Sequence, residues 1–210
     1  MNSKPATDPG TFWDERYADT DYIFGQEPNQ WMAANADLLT PGLRALVPGD
    51  GEGRNGVWLA ARGLDVTTVD ASPVGVDKAR KLAAASSVTI DAITADLREW
   101  DAPEAGYDVV VLAFLHVNAD DRTGVHRALA RALKPGGLLL LEGFAPDHLG
   151  TGKGGPPVKE MMFTEERMHE DFAGLLDIEH LEVLHTELPA SERHGGPAIV
   201  LRLRGRRTDP

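Results

Sequence analysis

GDGEGRNG, at residues 49–56, separates an apolar stretch (43–48) from a stretch of helical composition (54–62). Glycines allow the backbone to turn sharply, and their lack of a side chain leaves room for a ligand against bare amide groups. Glycine runs also form ordinary turns, so this pattern is weak by itself. It predicts a ligand-binding turn at Gly49, Gly51 and Gly53 if a second feature points to the same place.

Asp70 provides that second feature, since it ends the next predicted strand, 66–69. A carboxylate at this position accepts hydrogen bonds from the two ribose hydroxyls of an adenosine-containing ligand. The alternative is a surface aspartate that caps the helix beginning at Ser72. Because the glycine run and Asp70 follow consecutive strands, we expect the ligand to contain adenosine.

Short apolar runs alternate with helical stretches along most of the chain. The run VVVLAF at 109–114 is apolar on both faces, as in a buried parallel strand. Five strand–helix units in succession predict an α/β sheet with helices on both faces, and two final strands without a helix between them predict an antiparallel last strand. The predicted strands are 43–48, 66–69, 88–95, 107–114, 138–141, 178–185 and 198–203, and the predicted helices after the first strand are 54–62, 72–85, 120–133 and 164–176.

Composition limits the classes of function. The 210 residues suit one domain, and the formal charge of −12 disfavours a nucleic-acid partner. The chain has no cysteine, which excludes disulfides and thiolate metal sites, and its His, Asp and Glu spacing indicates no metal site. No apolar run approaches the roughly 18 residues of a membrane span. We expect a cytoplasmic monomer or homodimer without a membrane partner.

Five ordered motifs resemble the class I S-adenosylmethionine-dependent methyltransferases. The glycine spacing is G-x-G-x-G, an acid ends the second strand, and Ala95-Asp96-Leu97 follows the third. Tyr107-Asp108 opens the fourth strand, and LKPGG at 133–137 leads into the fifth. The match covers about residues 40–204, taken as the core of a single domain. The resemblance implies a Rossmann-like, mostly parallel seven-stranded sheet and S-adenosylmethionine as cofactor.

Within this class, several stretches are similar to the tellurite-resistance and thiopurine methyltransferase branch. The similarity rests on GEGRNGVWLA at 51–60, on FWDERY at 12–17, FG at 24–25 and PN at 28–29 in the amino-terminal segment (residues 1–35), and on HGGPA at 194–198. It implies a small-molecule acceptor such as a thiol, selenium or tellurium compound. One departure is Val47, where the family usually has an acid, and Asp50 is expected to take over part of that role.

The resemblance also implies which residues bind the cofactor. Asp70 would hold the ribose, Asp96 would accept from the adenine amino group, and Ala71 and Leu97 would cover the two faces of the ring. Asp96 as a turn residue and Phe114 as core are the alternatives. The full predicted set is Trp13, Tyr22, Gly49, Asp50, Gly51, Gly53, Asn55, Asp70, Ala71, Ser72, Asp96, Leu97, Ala113 and Phe114.

On the acceptor side, His116 follows the fourth strand and is either a general base or a loop histidine that caps the next helix. His194 has the same ambiguity. The aromatic residues of the amino-terminal segment form either a lid over the sulfonium or a packing cluster. We expect acceptor contacts from residues 12–28, from His116 and from the glycine-rich loop 144–158, which is typical of a mobile lid. The aromatic residues concerned are Trp13, Tyr17, Tyr22 and Phe24.

Two other functions compete with methyl transfer. A nicotinamide-dependent reductase would require the G-x-G-x-x-G spacing and a proton donor on the later strands, and the sequence offers neither. A non-catalytic S-adenosylmethionine-binding module remains compatible with the Val47 departure.

Overall fold

The computed structural model describes residues 8–19, 21–151, 154–191 and 195–209. Within these ranges, seven strands form one sheet in the order β3-β2-β1-β4-β5-β7-β6. The strands are β1 (Arg44–Pro48), β2 (Asp65–Asp70), β3 (Asp91–Thr94), β4 (Tyr107–Ala113), β5 (Leu133–Phe144), β6 (Leu176–Leu188) and β7 (Gly196–Arg207).

Helices cover both faces of this sheet. Local sequence explains where several of them begin: Ser72 caps α4 by accepting from the Gly75 N–H at 2.9 Å, and Thr164 caps α6 in the same way. The helices are α1 (Pro9–Tyr17), α2 (Gln30–Ala34), α3 (Arg54–Ala61), α4 (Pro73–Ala85), α5 (Ala119–Ala132) and α6 (Glu165–Phe172).

The strand directions confirm the predicted fold. Strands β1 to β5 pair in parallel, whereas β7 is antiparallel to both β5 and β6. The strand order reverses between β1 and β4, so their carboxyl ends open the crevice in which α/β sheets of this kind bind ligands.

Several predicted boundaries differ from the structure. β5 begins at Leu133 and not at 138, because a bulge at 134–137 lies opposite Asp108 while pairing continues on both sides. β6 and β7 are longer than predicted, because their pairing with each other continues from Leu176–Arg207 to Leu188–Gly196, beyond the apolar runs on which the predicted bounds were based. α6 ends at Phe172, four residues early, shortly before Gly174.

Alternate residues of the central strands pack against different helix layers. Leu46, Val110 and Leu112 face the cluster that includes α5 and α6, whereas Val109 and Val111 face the cluster that includes Met32 and Leu59. All five strand residues are buried. Because successive strand side chains point to opposite faces, this two-sided burial explains the continuous apolar run at 109–114.

A buried polar network joins α5 to α6. The Asp171 carboxylate accepts from Arg122 Nε at 2.7 Å, from Thr123 Oγ1 at 2.6 Å and from His126 Nδ1 at 2.8 Å. Burial acts to raise the pKa of Asp171, but the hydrogen bonds from His126, Arg122 and Thr123 outweigh it and hold the pKa below its ordinary value. Asp171 therefore stays ionised and neutralises Arg122 inside the protein.

A lipid bilayer could not be spanned by any helix in the part of the chain that the structure describes, since none combines the required length with the required hydrophobicity.

Replacing Asp171 with Ala should lower the free energy of unfolding by about 3 kcal/mol, because Arg122 would remain buried without its carboxylate. Urea unfolding followed by circular dichroism measures this change. The neighbouring Glu170→Ala, at an exposed position of the same helix, should change the free energy by less than about 0.5 kcal/mol. Similar effects of the two substitutions would contradict the assigned role of the network.

Candidate active site

The turn after β1 is packed tightly between two helices. Gly51 and Gly53 have φ angles of +56° and +90°, which disfavour side chains. A Cβ on Gly51 would overlap the Tyr17 hydroxyl of α1, and one on Gly53 would lie 2.6 Å from the Ala79 Cβ of α4. The glycine run therefore allows both helices to approach the turn, and α1 covers it.

Asp70 lies beside this turn, at the end of β2. Its carboxylate accepts from the Gly51 N–H at 2.8 Å and from the Ser72 N–H at 2.9 Å. Burial raises the pKa of Asp70 to about 6. Two backbone donors thus fix the orientation of a carboxylate that has further acceptor capacity. This geometry is compatible with the predicted ribose contact, which stays a prediction.

Asp50 occupies the opposite side of the turn and points into the first turn of α3. Its carboxylate accepts from the N–H groups of Asn55 at 3.3 Å and Gly56 at 2.9 Å. Burial raises the pKa of Asp50 to about 7. Val47 is buried in the sheet, and the Asp50 carboxylate points into α3. Neither position therefore places a carboxylate in the cleft. The structure corrects the expectation that Asp50 replaces the family's acid, because its carboxylate is engaged within α3.

A buried lysine holds the end of α1 against α4. Lys78 Nζ donates to the backbone carbonyls of Asp19 at 2.8 Å and Asp21 at 2.6 Å, and forms an ion pair with Glu52 at 2.5 Å. At the middle of α1, Asp14 accepts from Ser72 Oγ at 2.5 Å. These polar contacts fix the amino-terminal segment over the glycine turn.

The aromatic residues of this segment divide into two groups. Trp13, Tyr17 and Phe24 form one cluster, with ring centroids 5.4 Å apart for Trp13 and Tyr17 and 6.5 Å apart for Tyr17 and Phe24. Tyr22 instead packs near Leu82, and its hydroxyl donates to the Lys78 carbonyl at 3.3 Å. Tyr22 thus packs beside α4, and its predicted cofactor contact stays a prediction.

A cleft opens next to the carboxyl ends of β4 and β5. Its walls combine apolar and polar side chains in equal number, and the polar groups include a guanidinium and a carboxylate. The lining residues are Phe24, Pro28, Asn29, Gln30, Arg54, Phe114, Glu142, Leu188, Pro189 and Ser191.

The lining differs from the residues expected on the acceptor side. Among the described residues, none from the predicted loop 144–158 lines the cleft, whereas Leu188 at the end of β6 and Pro189 and Ser191 after it do. Residues 146–148 instead form a 3₁₀ turn, and the His148 ring packs 4.3 Å from Phe144. Gly152 and His194 lie outside the described residues.

Phe114 lies in the cleft wall with a strained backbone. Its φ angle is +56°, a left-handed conformation that costs a non-glycine residue about 1 kcal/mol. The Phe114 N–H donates to the Glu142 carbonyl at 2.7 Å, so the chain continues to pair with β5 while it turns. Strain of this kind concentrates at functional sites. Its neighbour Ala113 pairs with Glu142 in register and is half-buried.

The polar floor of the cleft was not predicted from the sequence. Glu142 is 1% exposed and accepts from Asn29 Nδ2 at 2.5 Å and from Arg202 Nε at 2.7 Å. Asn29 also caps α2, and its backbone N–H donates to Asn55 Oδ1 at 2.9 Å. Two features of the sequence could have indicated this polar floor: the PN pair at 28–29, and a charged residue, Glu142, at the end of an apolar strand.

His116 has a structural role, contrary to the predicted general base. Its Nδ1 lies 2.9 Å from the Met161 carbonyl oxygen, and its Nε2 accepts from the Phe144 N–H at 3.1 Å. The ring stacks on Phe163 at 4.5 Å, and burial lowers the pKa of His116 to about 4. With both nitrogens engaged and the ring neutral, His116 has no free position to accept a substrate proton.

The predicted adenine contacts follow two neighbouring strands, Ala71 after β2 and Asp96 and Leu97 after β3. Arg98 holds Asp96 with Nε at 3.0 Å, and this hydrogen bond is the main cause that lowers the pKa of Asp96. Leu97 packs against the main core, and the Ala71 carbonyl lies close to Gly10 of α1. An adenine amino group would share Asp96 with Arg98, so these contacts stay predictions.

Comparison with known proteins places this architecture in a family. Residues 45–137 match the family described as methyltransferase domain. The ubiquinone biosynthesis O-methyltransferase of Xanthomonas oryzae pv. oryzae (strain PXO99A) is 35% identical over 112 residues, which are 53% of this chain and 46% of the relative. The S-adenosyl-L-methionine-dependent Diels-Alderase iccD of Talaromyces variabilis is 30% identical over 76% of this chain and 60% of the relative.

Solved structures show the same fold. One, described for the conversion of a disulfide bond into a thioacetal group during echinomycin biosynthesis, has a TM-score of 0.75 at 20% identity and covers 95% of this chain and 90% of its own. TehB from Haemophilus influenzae has a TM-score of 0.70 at 16% identity, covering 95% and 67%.

The family match makes residues 45–137 a methyltransferase domain, and together with the methyltransferase relatives and the fold it supports the predicted class I methyltransferase and its cofactor, S-adenosylmethionine. The chain spans about half the length of the curated ubiquinone relatives that it matches. The structural matches, at their low identities, establish the fold alone.

The residues of the site fit this cofactor. S-adenosylmethionine joins an adenosine to a sulfonium, an ammonium and a carboxylate. The chain provides the oriented Asp70 carboxylate for the ribose, aromatic rings of Tyr17 and Phe24, and groups of both charges, Arg54 and Glu142, at the cleft. A carboxylate, aromatic faces and a cation are the partners that these ligand groups require.

Asp50 predicts a pH dependence of stability. Its pKa is about 7 in the folded protein and about 4 when unfolded, so the folded state binds more protons between these values. Stability should therefore fall as the pH rises from about 4 to about 7. The fall should be smaller in Asp50→Asn, as measured by thermal unfolding at both pH values. Asp65→Asn, an exposed carboxylate on β2, should keep the full decrease. An equal decrease in all three proteins would contradict the role of Asp50.

Proposed function

We propose that the protein transfers the methyl group of S-adenosylmethionine to a small-molecule acceptor. The observation that carries this proposal is the Asp70 carboxylate, held by two backbone N–H groups beside the glycine turn and close to a cleft. When bound, the cofactor supplies an activated methyl group whose leaving group is a neutral thioether. The protein's contribution is to align the reactants and exclude water.

The surroundings of the cleft support the role of the protein in aligning the reactants and excluding water. Tyr17 covers the glycine turn, and Phe24, Phe114 and Leu188 form apolar walls that exclude water. The amino-terminal segment is fixed over the turn by Lys78 and by the Asp14–Ser72 contact. The geometry therefore supports the predicted lid, which would close over both reactants.

The chemistry of the cleft favours an acceptor that needs no base. Among the described residues that line the cleft, there is no histidine, and the carboxylate of Glu142 is already bound by Asn29 and Arg202. A phenol or alcohol would require proton removal, whereas a thiolate, selenide or tellurium anion reacts without it. We therefore infer a soft acceptor of this type. The echinomycin relative, whose description concerns sulfur chemistry, is consistent with this inference, and the ubiquinone O-methyltransferases represent the competing oxygen acceptor.

A screen with methyl-labelled S-adenosylmethionine tests the proposal. Aliphatic and aromatic thiols, selenide and tellurite should include an acceptor that gains the label, whereas catechols and primary amines should not. Label on a catechol but on no thiol, selenium or tellurium compound would contradict the soft acceptor and retain methyl transfer. Binding of the cofactor without any labelled product would contradict methyl transfer to these classes.

Asp70→Ala should weaken the binding of S-adenosylhomocysteine by about 2–3 kcal/mol, because two hydroxyl contacts to a charged acceptor are lost. Isothermal titration calorimetry measures this change. Asp65→Ala provides the matched control, since Asp65 lies exposed at the other end of β2 and should leave the affinity unchanged. A folded Asp70→Ala variant with unchanged affinity would place the ribose elsewhere.

A second candidate is cofactor binding without methyl transfer. The match to a protein named as an S-adenosyl-L-methionine-dependent Diels-Alderase favours it, together with the lack of a base among the described lining residues. In this case the label would remain on the cofactor while an acceptor is rearranged. The alternative of a nicotinamide reductase would require NADH binding, which a calorimetric titration beside S-adenosylmethionine examines.

A further inference from the structure

Asn29 joins three parts of the fold that surround the cleft. It directly precedes α2 and is 4% exposed. Its Nδ2 donates to Glu142 Oε2 of β5 at 2.5 Å, and its Oδ1 accepts from the Met32 N–H at 2.9 Å. Its backbone N–H donates to Asn55 Oδ1 of α3, also at 2.9 Å. One buried residue therefore fixes the start of α2 against both the sheet and α3.

The contact with Asn55 continues to the glycine turn. Asn55 is buried, and while its Oδ1 accepts from Asn29, its carboxamide is also hydrogen-bonded to the Asp50 carboxylate. The Asn55 backbone N–H donates to the same carboxylate at 3.3 Å. Asp50 and Asn55 flank residues 51–54, which include both glycines of the turn. The hydrogen bonds of Asn29 therefore reach the residues that close this turn.

The other end of this network is anchored in the sheet. Glu142 accepts from Arg202 Nε of β7 at 2.7 Å, so the network runs from Arg202 through Glu142, Asn29 and Asn55 to Asp50. Breaking one link would leave a buried donor or acceptor without its partner, which is costly. A buried polar network whose members are all hydrogen-bonded holds them in a single arrangement.

We propose that Asn29 is a positioning residue that holds the cleft wall and the glycine turn in one fixed arrangement. This inference rests on the proposed function, which assigns the cofactor to the turn and the acceptor to the cleft. Pro28 and Gln30, the neighbours of Asn29, line the cleft. A displacement of Asn29 would therefore move this wall and remove a donor from Asn55 at the same time. The network preorganises the site, so that less ordering is required when a ligand binds.

An exchange of amide and carboxylate tests the link between Asn29 and Glu142. Asn29→Asp places two carboxylates together in a buried position and should raise the Kd of S-adenosylhomocysteine about tenfold, as measured by isothermal titration calorimetry. In the double variant Asn29→Asp/Glu142→Gln, the new amide can donate to the new carboxylate and still accept from Arg202. Its Kd should return to within about threefold of the value for the unmodified protein.

A milder variant keeps the test independent of the folding of Asn29→Asp. Asn29→Ser retains a side-chain oxygen that caps α2 and the backbone N–H that donates to Asn55, but a serine is too short to reach Glu142. It should raise the Kd of S-adenosylhomocysteine about fivefold.

Asn35→Ala is the matched control. Asn35 is a buried asparagine at the other end of α2, and its side chain bonds to the Trp31 carbonyl at 2.8 Å and to Arg204 Nη1 at 2.9 Å. Its partners belong to α2 and β7, away from the glycine turn. The substitution should lower the melting temperature about as much as Asn29→Ser does and change the Kd by less than about twofold.

A second ligand separates positioning from direct contact, since Asn29 itself lines the cleft. 5′-Methylthioadenosine lacks the amino-acid end, and Asn29→Ser should weaken it by the same factor as S-adenosylhomocysteine if Asn29 acts through α3. A loss confined to S-adenosylhomocysteine would make Asn29 a direct ligand contact and overturn the proposal. So would an unchanged Kd in Asn29→Ser, an equal loss in Asn35→Ala, or a double variant that binds as weakly as Asn29→Asp. If the unmodified protein bound neither ligand, the proposed function itself would fail, and this inference with it.

Discussion

The close packing of backbone at Gly51 and Gly53 is the constraint on which the rest of the site depends. Any side chain at these positions would collide with Tyr17 on one side and with Ala79 on the other. Two glycines therefore bring α1 and α4 together over a single turn. This packing places the Asp70 carboxylate against the Gly51 amide and makes the amino-terminal segment part of the site.

The close packing of helices on the glycine turn also buries several charged side chains around it. A carboxylate removed from water needs donors, and each acid near the turn has its own: backbone amides for Asp50 and Asp70, Lys78 for Glu52, and Arg202 for Glu142. Once these partners are assigned, Arg54 is left with only weak backbone contacts. The arrangement of charges in the scaffold thus determines which group is available to a ligand.

The sequence predicted the features that depend on local pattern. Alternation of strands and helices led to the fold, and the glycine run with Asp70 pointed to the carboxyl end of the parallel strands, where the turn and Asp70 lie side by side. Contacts between distant residues were not predictable: Asn29 reaches Glu142 and Trp31 reaches the Leu203 carbonyl across most of the chain. His116 was misassigned for the same reason, since its partner Met161 lies 45 residues further on.

The glycine turn and most of the cleft wall come from different parts of the chain. The residues that match the methyltransferase domain, 45–137, contain the glycine turn, Asp70, Arg54 and Phe114. Most of the remaining cleft wall comes from outside this range, namely from Phe24, Pro28, Asn29, Gln30, Glu142, Leu188, Pro189 and Ser191. Glu142 ties the two ends together through Asn29 and Arg202. A change at Phe24, at 28–30 or at 188–191 therefore alters the cleft wall, whereas the packing of the glycine turn against Tyr17 and Ala79 depends on other residues.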